Sequence, residues 1–345
     1  MKSSITSAMT KSRFARRSLR MNRSRQTGLT LIELLVALTI STVITIAAVS
    51  ALIVSRQGFT AVDTASQLRD NARFATDLIQ RLGVQAGYQD IQFITSPRGN
   101  DASAAVDPFP NIFGFNNALA GSSFPIVPTT RPIGPTFSGS DVLLLSFQAG
   151  ETFPGSGVSD NTMIDCMGNP STTPPISSTD RIVSILHVRV DASGEPSLMC
   201  STVNPAMSDP QPLIRGVENF QILYGVDGVV PNTTPGAAAA DPVPRRFLRA
   251  DQMVVPGNDV ATNANWRRVR SIRIGMVFRG PPNSAPDNAA ITYYPLGQAR
   301  ASNGGTVGSA LSAAADPGTI FEPGADGRLR QVMTFTVHLR NSQEL

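Results

Sequence analysis

The sequence predicts an α+β protein, a long N-terminal helix packed on an antiparallel β-sheet head. Two observations carry this. From Leu29 to Leu82 the chain contains no proline and keeps the apolar spacing of a helix. After Tyr88 that spacing gives way to short runs of alternating apolar residues, separated by stretches rich in Pro, Gly, Ser, Thr and Asn.

The first element is a basic leader, residues 1–28. It holds Lys2, Lys11, Arg13, Arg16, Arg17, Arg20, Arg23 and Arg25, and no acid. Removing these eight from the 29 basic residues leaves 21 against 25 acids, a balance of −4. The chain's pI of about 9.5 therefore belongs to the leader and gives no reason to infer a nucleic-acid partner. Positive residues ahead of an apolar span hold that end in the cytoplasm and send the residues beyond the span outward. The leader has no small-residue cleavage site beyond its apolar core, so it does not read as an ordinary secretory signal.

The second element, residues 29–55, is an apolar run with one charge, Glu33, before Arg56. A helix needs roughly 20 apolar residues to cross a bilayer core of about 30 Å, so the run is long enough to span it. A lone acid in such a span is costly and calls for a partner. Were the chain cut after Gly28, the new amino group on Leu29 would lie one helical turn from Glu33.

The third element, residues 56–87, continues the helix as an amphipathic segment. Phe59, Val62, Ala65, Leu68, Ala72, Ala75, Ile79 and Leu82 recur at three- and four-residue steps, with Asp63, Arg69, Asp70, Arg73, Asp77 and Arg81 mostly between them. Gly83 and Gly87 supply stop signals. One helix over both segments would be roughly 80 Å long at 1.5 Å per residue.

The run Gly28-Leu29-Thr30-Leu31-Ile32-Glu33-Leu34 resembles the processing site of type IV prepilins and type II secretion pseudopilins, although the family usually begins its mature chain with Phe. The resemblance implies cleavage by a prepilin peptidase between Gly28 and Leu29 and N-methylation of Leu29. It also implies that Glu33 neutralises the N-terminus of a neighbouring subunit. Further along, Arg69-Asp70-Asn71-Ala72-Arg73-Phe74-Ala75 with Ala86-Gly87-Tyr88 is similar to the PilW-type minor pilins. So are Ser140-Asp141-Val142-Leu143-Leu144, Asp165-Cys166 with Leu198-Met199-Cys200, and Trp266-Arg267-Arg268-Val269-Arg270-Ser271-Ile272-Arg273-Ile274. The fold this implies is the type IV pilin-like one. The implied function is a minor pilin that primes pilus assembly at or near the tip, with other minor pilins and the major pilin as partners. The implied location is the inner membrane, single-pass with a periplasmic head, and then the filament. A J-type pseudopilin of type II secretion is the nearest alternative.

The fourth element, residues 88–345, is the head. Strands are expected at Asp141–Phe147, Arg181–Val190, Val217–Val226, from Ser271 to Phe278 and from Met333 to Leu339, each with one buried face. Four stretches, about 95–139, 149–179, 228–262 and 280–326, lack periodicity and read as long loops. Cys166 and Cys200 are the only cysteines, both on the exported side, and an even count there favours a disulfide worth roughly 3–4 kcal/mol. Two free thiols or a weak metal pair are the alternatives.

The sequence offers little for catalysis. It has no G-x-S-x-G, H-E-x-x-H or P-loop. His187 and His338 read as sheet-surface residues, Asp160, Asp165 and Asp180 as solvated turn acids rather than a calcium loop, and Trp266 as a core or edge anchor heading an arginine-laced strand. No enzyme activity, metal or cofactor is expected. The alternative from another class, a membrane-anchored periplasmic enzyme or binding module, would need a convergent polar site.

Overall fold

The computed structural model describes residues 28–90, 93, 109–131, 139–299 and 311–341, apart from Ser178, Pro205 and Ala314. The leader up to Thr27 lies outside these residues, as do parts of the stretches 95–139 and 280–326. The described chain divides into two compact units, one ending at Ser55 and the other beginning at Arg56. Helix α1, Leu31–Gln85, contributes to both.

In the first unit every described residue is exposed, and the span is apolar and long enough to cross a membrane. Three of its threonine hydroxyls are turned back on the helix. Thr39 donates to the Val36 carbonyl at 2.8 Å, Thr42 to Thr39 at 2.8 Å and Thr45 to Ser41 at 2.7 Å. These bonds give each of the three a partner on its own helix, the condition for placing it in hydrocarbon.

In the second unit α1 buries a stripe of Thr64, Leu68, Ala72, Ala75, Ile79, Leu82 and Gly83. The small residues allow close approach. A Cβ on Gly83 would lie 2.6 Å from Val337 Cγ1, so this face fits the sheet only without a side chain there. The stripe begins later than the spacing predicts: Phe59 and Val62 are 75% and 73% exposed, because the segment of α1 that packs on the head starts at Thr64. The helix ends in a left-handed Gly87, φ +79°, whose N–H donates to the Ser146 carbonyl at 2.8 Å. Asn341 Nδ2 donates to the Val84 and Ala86 carbonyls at 3.1 Å each, completing the cap.

Three antiparallel sheets occur where the sequence predicts one. The first orders β1 (Ile112–Phe115), β4 (Val142–Phe147), β5 (Ile182–Val190), β6 (Pro196–Val203) and β7 (Gln211–Arg215). The second orders β11 (Arg330–His338), β10 (Val269–Arg279), β8 (Val217–Val226) and β9 (Arg246–Leu248). The third is the hairpin of β2 (Ala118–Leu119) and β3 (Thr129–Thr130). Gly216, at φ +80°, turns the chain from β7 in the first sheet into β8 in the second; a Cβ there would lie 2.5 Å from the Arg279 carbonyl oxygen. Two short helices, α2 (Ala250–Met253) and α3 (Asp259–Trp266), interrupt the stretch read as the loop 228–262.

The expectation of one buried face per strand fails at β4 and β8, whose residues are all buried, and over most of β5. Both sides are covered. Leu143, Leu145, Leu186 and Val188 face the main core with Phe220, Ile222 and the α1 stripe. Val142, Leu144, Val183 and Ile185 form a second, smaller core with Ala118 and Ile126 of the β2–β3 hairpin. On the second sheet Pro295 lies against Gly275, and its carbonyl accepts from Thr334 Oγ1 at 2.6 Å. Part of the stretch read as the loop 280–326 thus lies on a sheet. Trp266 ends α3 rather than heading a strand; it is fully buried, 4.6 Å from the Phe113 and Tyr224 rings.

Candidate functional site

Gly28 and Leu29 precede the first turn of α1, with Leu29 77% exposed and nothing within 4 Å of a Cβ placed on Gly28. Glu33 is in the first turn and closes a reciprocal cap with Thr30. Its Oε2 accepts the Thr30 N–H and hydroxyl, each at 3.0 Å, while its own N–H donates to Thr30 Oγ1 at 3.3 Å. This is a capping box, in which threonine and glutamate three residues apart satisfy each other's backbone donors. Glu33 Oε1 has no partner among the described residues. An unobstructed Gly28–Leu29 bond, a capped helix start and a carboxylate with one oxygen to spare therefore occupy consecutive turns of one exposed apolar segment.

In the head, Cys166 and Cys200 form a disulfide with their Cα atoms 6.0 Å apart. Both are buried in the main core, where the bridge ties the segment after Ile164 to β6. Asp160, Asp165 and Asp180 each accept backbone N–H groups of their own turns. Asp165 departs from the solvated reading: it is 2% exposed, and its Oδ1 takes the N–H of Met167 at 2.8 Å and Asn169 at 2.9 Å. Among the described residues no three His, Cys, Asp or Glu side chains converge as a metal site.

Sequence reasoning missed two buried polar centres. One surrounds Asp141, known from the sequence only as part of a family-like run. Its Oδ1 accepts the Asn117 N–H at 2.9 Å and its Oδ2 the Ile222 N–H at 2.8 Å, while its own N–H donates to Phe220 at 2.8 Å. It thereby joins the lead-in to β4 to β8 in the other sheet. Burial pushes its carboxyl well above the usual range. Burial likewise raises Asp316 and lowers Arg131 to about 10. His187 belongs to this region and is 2% exposed rather than on a sheet surface. Burial, then the Arg131 and Arg189 charges, lower its pKa to about 4. Neither ring nitrogen has a hydrogen-bond partner among the described residues. His338 is exposed, as expected.

The second centre is ionic. Glu218 is wholly buried, with Arg279 at 2.9 Å and Arg330 at 2.6 Å; Arg279 also pairs with Glu195 at 2.7 Å and Arg330 with Asp326 at 2.7 Å. Asp326 and Arg330 lie four residues apart, but Glu195, Glu218 and Arg279 come from sequence positions too distant for any local pattern to show.

The described residues thus form a long apolar N-terminal helix and a head of antiparallel sheets, the arrangement expected from the sequence. The family model for the prokaryotic N-terminal methylation motif matches residues 23–49, across the Gly28–Leu29 boundary and Glu33. The model described as Type IV Pilus-assembly protein W matches residues 185–341, from β5 past β11. No curated protein matches the chain. A solved type IV-like pilin from Thermus thermophilus is 13% identical, with 80% of this chain and 98% of that one covered and a TM-score of 0.35. Over these two segments the chain is similar to the type IV prepilin and pseudopilin superfamily, and most of all to a PilW-type minor pilin. Its apolar helix and N-terminal motif mark it as a membrane-anchored pilus component.

Proposed function

We propose that the chain is a minor pilin that takes part in priming assembly of a type IV pilus. Prepilin peptidase cuts between Gly28 and Leu29, and Leu29 is N-methylated. The helix holds the protein in the inner membrane, with the head in the periplasm, until assembly draws it into the filament beside other minor pilins and the major pilin. The observation that carries this reading is the capped, exposed helix start, in which Glu33 Oε1 is open to the amino group of an adjacent subunit. In lipid an opposite charge at close range offsets much of the cost of burying a carboxylate, and the pairing also sets the register of one helix against the next. A place near the tip is supported by the long connections of the head, such as 149–179 and 280–329. Copies packed on all sides would have to accommodate them, whereas a terminal subunit leaves one side open.

Deletion of the gene should leave few surface pili, and the wild-type gene should restore them, with the protein present in sheared fibres only in traces beside a distinct major pilin. A Glu33→Ala gene should give processed, membrane-held protein that fails to restore pili. A protein found to be the most abundant subunit would overturn the minor-pilin reading, and full restoration by Glu33→Ala would overturn the pairing.

A further inference from the structure

The β2–β3 hairpin, with its flanks Asn116 to Arg131, lies on the outer face of the first sheet and has a small apolar underside. Only Ala118 and Ile126 are buried there, on Val142, Leu144, Val183, Ile185 and Val203, while Val127 near the tip is 70% exposed. Its feet are tied by polar contacts. Asn116 Nδ2 donates to Asp316 Oδ1 at 3.0 Å, the Asn117 N–H to Asp141 Oδ1 at 2.9 Å and the Ala118 N–H to the Ser140 carbonyl at 3.1 Å. Arg131 closes the other foot, with Nε on the Ser140 carbonyl at 2.8 Å and Nη2 on the Val188 carbonyl at 2.7 Å. Alternation along β5 puts His187 on the same side as Val183 and Ile185, in the layer the hairpin covers.

We propose that the β2–β3 hairpin is a flap that opens locally at mildly acidic pH, with His187 as its trigger. A segment held by few apolar contacts can open without the rest of the head. The charges that act on His187 are Arg131, at the flap's foot, and Arg189, on its own strand; its neighbours across β4 and β6 are Val142 and Met199. A proton on His187 thus places a second cation beside Arg131 with no acceptor for either ring nitrogen among the described residues. Opening admits water to both.

Proton affinity sets the sign. A histidine held to about 4 when closed and returned to its ordinary value near 6.5 when open takes up a proton on opening, so acid favours the open form. Between about pH 7.5 and pH 4.5 that change multiplies the open fraction about 70-fold. Asp141, which faces Arg131, and Asp316, which faces Asp141, have raised values through burial, so their protonation favours the closed form. Replacing His187 separates the two effects.

Amide hydrogen exchange of the full chain in detergent, corrected for intrinsic rates, tests this at those two pH values, with the β8 amides as the internal standard. On acidification, flap amides of the wild type should lose about 70-fold more protection than those of His187→Phe, with β8 protected throughout. His187→Gln is the second variant should phenylalanine not fit. Equal pH responses in wild type and variant, or loss of flap and β8 protection together, would overturn the proposal.

Discussion

Gly28→Val should leave the chain at full length, about 3 kDa heavier than processed wild type, as expected for 28 residues at the chain's mean residue mass. A peptidase that cuts at a membrane edge must draw the scissile bond into its active site, and a branched side chain on the residue before that bond obstructs the approach. The fold places no such demand on this position. A Cβ at Gly28 meets nothing within 4 Å, and the glycine precedes the helix. Valine there should leave α1 and its Thr30–Glu33 cap intact, so uncleaved protein would report on the peptidase rather than on folding. Membranes from cells expressing each form, compared by mass spectrometry, give the answer. Normal processing of the valine variant would remove the ground for cleavage at this bond.

The contrast with Glu33→Ala is useful. That change removes only the glutamate half of the capping box, since Thr30 Oγ1 still accepts the N–H of residue 33. It leaves the cleavage bond and apolar span untouched, so processing and assembly should separate between the two variants.

The parts of this molecule visible in its sequence are those whose determinants lie close together along the chain. The start of α1 is one: Gly28, Thr30 and Glu33 occupy a single stretch, and the span beyond them carries its own apolar signal. The stop at Gly87 is another, although its cap is completed by Asn341, which no local pattern could supply. β4 is visible as an apolar run, but what covers each of its faces is not. The hairpin over its outer face is built from two-residue strands inside a Pro- and Ser-rich stretch. That cover explains why His187 resembles a surface residue in the sequence and is buried in the fold. Its strand alternates as expected, and the face it shares with Val183 and Ile185 is covered by Ala118 and Ile126 of the hairpin. Trp266 is legible as a core residue but not as the end of a helix, because α3 is an eight-residue element rich in Asn, Asp and Thr, which favour caps and turns.

Glu218 shows the opposite extreme, and the second large effect is expected there. Arg279 and Arg330 stand directly opposite each other on β10 and β11, an arrangement that like charges disfavour unless an acid lies between them. Glu218 supplies it from β8, with Oε1 accepting from both arginines and Oε2 from Arg330 Nε. Burial works against the Arg330 charge, yet its bonds to the Asp326 and Glu218 carboxylates more than offset it and hold its pKa above the ordinary arginine value. Glu218→Gln keeps the shape and removes the charge, leaving Arg279 and Arg330 with Glu195 and Asp326, acids that Arg328 also pairs with, at 3.2 and 3.7 Å. Breaking a buried pair by removing one partner costs about 3–5 kcal/mol, and the two remaining acids place this case near 3 kcal/mol. Denaturant unfolding followed by Trp266 fluorescence should show the midpoint fall accordingly. Replacing Glu218 and Arg330 together with apolar residues should recover most of the loss, since the cost lies in the uncompensated charge rather than in the missing pair. A glutamine variant that unfolds at the wild-type midpoint would mean that solvent, not Glu218, neutralises these arginines.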